Sequence, residues 1–246
     1  MSALVAVAHG SRDPRSAAVV NELLGVVRAL RPELDVRASF LELSAPRLPD
    51  VLRAVRADGH REAVVVPLLL GRAYHARVDV PSAVAEAAVL GLDVAIADVL
   101  GPDPRLESAA LRRLAEAGVG FGDPSWGVVL AAAGSSHARA NAVVRATARR
   151  WAAGAGWAGV EPAFAASAAP DAAVAAARLR AAGARRVAVA SWFLAPGLLP
   201  DRVTGLVGAD AVVAAPLGAD PEVAELVLHR YAGARVRAAG RVTAIA

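Results

Sequence analysis

One spacing constrains this 246-residue chain more than any other feature: a set of landmarks recurs at a constant distance. Gly10-Ser11 returns as Gly134-Ser135, Val19-Val20 as Val143-Val144, Val36 as Val160 and Phe40 as Phe164. Pro46 returns as Pro170, Gly59 as Gly183 and Val65 as Val189, and every pair lies 124 positions apart. Near the end of each copy, Gly101 and Pro104 return as Gly218 and Pro221, now 117 positions apart. The second copy is therefore seven residues shorter, and the loss falls between Gly71 and Gly101 of the first. A fixed long period means one supersecondary plan used twice. The repeat divides the chain into residues 1–120 and 124–246, joined through Gly118–Asp123, where three glycines precede Pro124.

Within each copy, short apolar runs alternate with helical signals. In the first, Leu4–Ala8 reads as a strand. Asp13-Pro14 then opens a helix, with the aspartate as N-cap and proline at the first helical position. That helix runs to about Leu30 and stops before Pro32. Val36–Leu41 is a second strand, and Pro46 opens a helix that ends at Gly59. Ala63–Leu70 is an unbroken apolar run, as expected of a strand covered on both faces. A helix follows Pro81, then a strand over Val94–Ala97, then a helix opened by Asp103-Pro104. The closing helix of the second copy opens in the same way at Asp220-Pro221. Strands separated by single helices imply parallel pairing through crossovers. The expected fold is α/β: two tandem related units, each a four-stranded parallel sheet flanked by helices, with a cleft between them.

Composition narrows the function. Hydrophobic residues make up 56% of the chain, with a mean hydropathy of +0.45, which supplies a buried core and excludes disorder. Much of that apolar content is alanine, so the core should be tight and helix-rich. A long uncharged stretch, between Arg186 and Asp201, is broken by Pro196, Gly197 and Pro200. A spanning helix needs roughly 20 mainly apolar residues, so no membrane segment is expected. Met1–Val5 lacks the basic region and longer apolar core of a secretory signal, and a cytoplasmic protein is expected.

With no cysteine, thiolate catalysis and cysteine-held zinc or iron–sulfur sites are excluded. Every Lys/Arg position is arginine, which excludes Schiff-base and P-loop lysine chemistry. The formal charge is +4, but the arginines are scattered among acids with few aromatics, so nucleic acid is not an expected partner.

Ligands of open parallel sheets bind beyond the carboxyl ends of the strands. Three ionisable residues of the first copy belong there. His9 follows the first strand, Glu42 ends the second, and His75 lies in the loop after the third. Two imidazoles and a carboxylate are apt ligands for a first-row divalent metal and apt proton acceptors near neutral pH. A single loop histidine is usually a polar surface group, and a strand-end carboxylate is usually solvated. The repeat changes that weighting. His9 aligns with Ala133, Glu42 with Ala166 and His75, approximately, with Leu199. The second copy keeps the glycine-serine turn yet lacks all three polar groups, so folding does not require them.

Gly10, Ser11 and Arg12 follow the first strand, where close backbone approach, free amides and a guanidinium suit an anion. The remaining histidines read as structural: His60 at a helix end, His137 at the position of Asp13, and His229 exposed within the last helix.

Three segments together carry a specific resemblance. They are His9-Gly10-Ser11-Arg12-Asp13-Pro14-Arg15; Phe40-Leu41-Glu42 followed by Pro46; and Val66-Pro67-Leu68-Leu69-Leu70 with His75 and Asp79-Val80-Pro81. In order and spacing, over about residues 1–120, they resemble the sirohydrochlorin chelatases of the CbiX/SirB type, the class II tetrapyrrole chelatases. The second half is similar to the degenerate copy of the long, two-domain form. The segment Gly71-Arg72-Ala73-Tyr74-His75 departs from the glycine that often precedes the second histidine in that family.

The resemblance implies insertion of Fe²⁺, for sirohaem, or Co²⁺, for a cobalamin precursor, into sirohydrochlorin, with release of two protons. It implies His9 and His75 as the metal-handling and proton-accepting pair, with Glu42 at the family's acidic position. The metal is a substrate and no permanently bound cofactor is expected. The ring's carboxylates would meet Gly10, Ser11, Arg12 and Arg72 or Arg77, with Tyr74 and Leu68–Leu70 against the ring. Two fused halves can supply the two-lobed cleft within one chain, so a monomer is the expected state. The competing readings are a non-catalytic tetrapyrrole or metal carrier, and an unrelated two-lobed protein that binds a small anion.

Overall fold

The computed structural model describes residues 2–71, 79–88 and 91–243. In chain order its elements are β1 (Ala3–Ala8), α1 (Pro14–Leu30), β2 (Val36–Phe40), α2 (Leu48–Ala57), β3 (Glu62–Pro67), α3 (Asp79–Ala88), β4 (Asp93–Ile96) and α4 (Pro104–Glu116). They continue as β5 (Trp126–Ala132), α5 (Ala138–Gly154), β6 (Gly159–Phe164), α6 (Ala172–Ala181), β7 (Arg186–Trp192), α7 (Leu198–Val207), β8 (Val212–Val213) and α8 (Pro221–Thr243). The strands form two parallel sheets of four, ordered β2-β1-β3-β4 and β6-β5-β7-β8. The expected fold class of two four-stranded parallel sheets is present.

Capping chemistry sets several of the helix starts. Asp13 Oδ1 accepts from the Arg15 amide, Asp103 Oδ1 from the Arg105 amide and Asp220 Oδ1 from the Glu222 amide. In each case an Asp-Pro pair satisfies an amide that the helix itself leaves without a partner. α1 stops at Leu30 because Pro32 cannot continue it; the Arg31 amide instead closes onto the Val27 carbonyl.

Several boundaries differ from the sequence reading: the helix expected after Pro81 already begins at Asp79, and two differences lie next to the carboxyl edge. Pro46 does not open α2. It sits in the loop before it, where its carbonyl accepts the Phe40 amide at 3.0 Å. Pro170 does the same for Phe164 at 2.9 Å, so both prolines extend the β2 and β6 edges, and α2 starts at Leu48. β3 ends at Pro67 rather than Leu70. Beyond it, among the described residues, the bonds from the Leu68 amide to Val7 and from the Gly101 amide to Leu69 continue the pairing.

The chain forms two compact units, one of residues 1–105 with 218–246 and the other Leu106–Leu217. These cut the chain differently from the repeat. α4 follows β4 but belongs to the second unit from Leu106 onward, while α8 follows β8 but belongs to the first. In the first unit, α8 packs on α1, β3 and β4. The Tyr231 hydroxyl donates to the Ser2 carbonyl at 2.6 Å, and the Arg230 guanidinium binds the carbonyls of Val99 and Leu100 and the Asp103 carboxylate. In the second unit, the Glu107 carboxylate of α4 accepts from Trp151 Nε1 at 3.0 Å, and the Arg113 guanidinium binds the Leu217 carbonyl. The apolar stripe of a helix can cover either of two similar sheets, and these long-range contacts decide which one it covers.

Each sheet is buried beneath helices. On one face of the first, Ala3, Val5 and Val7 of β1 pack with Leu48, Val51, Leu52 and Val55 of α2 and with Val80 and Val84 of α3. The corresponding core of the second is finer-grained: Val129 and Ala131 meet Ala172, Ala175, Ala176 and Leu179 of α6. Each fully buried Leu or Val contributes about 1.5–3 kcal/mol relative to exposure.

Candidate functional site

The site is built where β1 and β2 end together. Parallel pairing aligns Ala8 with Phe40 and then runs on past both strands. The Leu41 amide donates to the Ala8 carbonyl, and the Glu42 amide to the His9 carbonyl, each at 3.0 Å. This register makes His9 and Glu42 neighbours across two loops, and His9 Nδ1 lies 3.3 Å from Glu42 Oε1. Their side chains are 39% and 50% exposed, so the pair opens outward at the carboxyl edge of the sheet.

Three contacts lock the two loops face to face. The first is the hydrogen bond that the Glu42 amide donates to the His9 carbonyl. At the second, Gly10 has φ +97°, a conformation that costs any residue with a Cβ. A Cβ built there would lie 1.7 Å from the Glu42 carbonyl oxygen, so only glycine lets the backbones approach this closely. At the third, Ser44 Oγ accepts from the Ser11 amide at 3.0 Å and donates to the Ser11 carbonyl at 2.8 Å. Ser11 Oγ itself accepts from the Asp13 amide at 3.0 Å, leading the chain into α1. The Arg15 guanidinium beside Asp13 holds that carboxyl below the usual aspartate range. Arg12 is exposed at the same edge.

His75, Tyr74, Arg72 and Arg77 lie outside the described residues. Among the described residues, then, the structure brings together His9, Gly10, Ser11 and Glu42, and no group of three or more His, Asp or Glu side chains is arranged to hold a metal. Glu42 also borders a hollow of about 340 Å³ lined by Arg47, Leu48, Asp79 and Ser82. The other described histidines take structural positions. His60 Nε2 lies 3.0 Å from Asp35 Oδ2, His137 is the N-cap residue of α5 without a side-chain cap bond, and His229 is exposed on α8.

Ser44 is the residue the sequence reading missed. A signal for it exists in the repeat. Ser44 aligns with Ala168, and Ala17 with Asn141, so a small polar group lost from one position returns at another. In the second unit Asn141 Oδ1 accepts from the Ser135 amide at 3.0 Å, and Asn141 Nδ2 donates to the Ser135 carbonyl at 2.7 Å.

Known proteins resemble this chain in sequence and in fold. The CbiX family profile matches residues 3–117 and again 127–234. A sirohydrochlorin cobaltochelatase of Methanopyrus kandleri is 27% identical over 145 residues, covering 48% of this chain and 97% of that protein. The enzyme of the same name from Methanococcus maripaludis is 33% identical over 81 residues, covering 33% of this chain and 56% of that one. Among solved structures, SirB from Bacillus subtilis with Fe³⁺ shares the fold with a TM-score of 0.79 and 24% identity, covering 98% of both chains. The structure described as CbiX, the terminal enzyme for biosynthesis of siroheme in denitrifying bacteria, has a TM-score of 0.65 and 24% identity, covering 94% of this chain and 99% of that one. With both halves matched across most of its length, the chain belongs to the CbiX family.

Proposed function

We propose that this protein is a sirohydrochlorin chelatase, which inserts a divalent metal ion, Fe²⁺ or Co²⁺, into the tetrapyrrole ring with release of two protons. The observation that carries this reading is the His9–Glu42 pair at the carboxyl edge of β1 and β2, in a family chain whose second copy has alanine at both places.

Insertion requires two pyrrole protons to leave the ring and the metal to shed water. A carboxylate beside Nδ1 favours the imidazole tautomer that carries its proton there, which places the basic lone pair on Nε2. His9 so held can take a pyrrole proton or ligate the incoming metal, and Glu42 offsets the positive charge that either event brings. His75, the third polar group expected at this edge, is assigned the second acceptor. Gly10, Ser11, Arg12 and Tyr74 are assigned to the substrate. Both metals stay within the proposal, because Fe²⁺ and Co²⁺ are similar in ligand preference.

The test is anaerobic metalation of sirohydrochlorin followed by absorbance. Wild-type protein should accelerate the spectral change with Fe²⁺, Co²⁺ or both. His9→Ala and His75→Ala should each slow it by about 10²–10⁴-fold, the usual contribution of a positioned proton acceptor. Wild-type rates in both variants would overturn the site. Tight ring binding by the wild type without any acceleration would replace the enzyme with a carrier.

A further inference from the structure

We infer that Ser44 is a positioning residue for the His9–Glu42 pair. Its hydroxyl clips the Ser11 peptide to the Glu42 loop, and the second unit makes the same clip with Asn141.

Glu42 is exposed, and so is the next residue, Leu43, which adopts φ +60°. Nothing about Glu42's own burial fixes its position. What holds the loop is the backbone pairing to Ala8 and His9, and Ser44 closes its outer end with two hydrogen bonds, to the amide and to the carbonyl of Ser11. The Ser44 amide also donates to the Glu42 carbonyl at 2.7 Å. That carbonyl is the group packed against Gly10. A single side chain thus ties the backbone that carries His9 to the backbone that carries Glu42.

The second unit shows that this peptide needs a clip and that the clip can come from elsewhere. Ser135 aligns with Ser11 and presents the same amide and carbonyl. Position 168 is alanine and offers no hydroxyl, so Asn141, reaching from the first turn of α5, binds both groups. The position of Asn141 corresponds to Ala17 in α1. The helices α1 and α5 have the same length and aligned starts, so an asparagine at position 17 can reach the Ser11 peptide as Asn141 reaches Ser135. The two clips are alternative solutions to one backbone requirement. Only the first unit anchors its peptide from the Glu42 loop itself.

The consequence for activity rests on the chelatase reading, whereas the clip can be read independently of it. In Ser44→Ala, hydrogen exchange of the Ser11 amide should rise about fivefold or more, as one lost hydrogen bond allows. The kcat for metalation should fall about 10- to 100-fold, as small misplacements of catalytic groups do, with KM for the ring little changed. Ser44→Thr, which keeps the hydroxyl, should restore amide protection and kcat, whereas the Ser44→Ala/Ala17→Asn double variant should restore amide protection but leave kcat low, because its clip comes from α1 and does not tie the Glu42 loop.

Loss of protection with kcat unchanged would show that the clip serves folding alone and would overturn the proposal, as would unchanged protection in Ser44→Ala. If Ser44→Ala does not fold, the double variant decides. A folded protein with a protected Ser11 amide and reduced kcat supports the proposal; one with wild-type kcat, with that amide unprotected, or unfolded overturns it. Wild-type protein that metalates nothing would fail the chelatase reading, while the exchange data would still report on the clip.

Discussion

The carboxyl edges of the two sheets have the same backbone and different side chains. In the first unit the Glu42 amide meets the His9 carbonyl; in the second the Ala166 amide meets that of Ala133 at 2.9 Å. Gly10 and Gly134 both have positive φ, and a Cβ on either would strike the carbonyl of residue 42 or 166, at 1.7 and 2.0 Å. Leu43 and Ser167 share the same left-handed conformation, with φ +60° and +57°. Among the described residues, the imidazole and the carboxylate are missing from the second edge, along with the Ser44 hydroxyl and the Arg12 guanidinium, where the second copy has Ala168 and Ser136. The turn, its glycine and its serine are therefore requirements of the fold, and His9 and Glu42 are additions to it. This separates residues that a motif search alone would group together.

The largest effect expected from that comparison is on activity without stability. His9→Ala installs the second unit's own residue, so it should abolish most metalation while changing unfolding free energy by less than about 0.5 kcal/mol, as surface changes do. Denaturant titration beside the metalation assay checks both. A large loss of stability would mean that His9 also serves the fold.

Next is the glycine pair. Gly10→Ala and Gly134→Ala should each destabilise by about 3 kcal/mol or more, combining left-handed strain with a backbone clash. Only Gly10→Ala should also reduce kcat of the folded fraction, because only there does the displaced carbonyl belong to Glu42. Equal kinetic losses in the two variants would break the division of roles.

Asn141→Ala should cost about 1–3 kcal/mol, since it strands the Ser135 amide and carbonyl, and thermal unfolding should register it.

The smallest effect concerns the opposite edge, where the units differ in charge. Asp35 binds Arg37 and lies beside His60; the aligned positions in the second copy are Gly159, Glu161 and Ala184. The Arg37 guanidinium, with help from His60 and against partial burial, holds the Asp35 carboxyl below the ordinary aspartate range. A depressed folded value stabilises the folded state above the unfolded value and is lost as pH falls through the folded one. The stability gap between wild type and Asp35→Asn should thus be full at neutral pH and close on acidification below the usual carboxylate range. Denaturant midpoints measured across that range decide it, and a gap that widens on acidification contradicts the assignment.

Much of this was legible before any coordinates. The 124-residue period declared two copies. The Asp-Pro pairs at 13, 103 and 220 marked helix starts, because a cap is a local hydrogen bond between a side chain and an amide two residues on. The position of His9 after an apolar strand put it at a carboxyl edge, since parallel sheets carry their ligands there. Pro46 was misread as a helix start because proline suits a first helical turn as well as a loop. Only its carbonyl's bond to Phe40 distinguishes the two.

The sequence by itself thus determined the elements, their order, their doubling and the edge on which the polar residues fall. These follow from periodicity, caps and breakers that act over a few residues. Tertiary structure alone decided which unit receives α4 and α8, because two related sheets present similar apolar faces to similar helices. It also decided that the Ser11 peptide is held by Ser44 and the Ser135 peptide by Asn141. A partly buried amide needs an acceptor but does not specify which residue brings it, and the chain met that need from a loop in one unit and from a helix in the other.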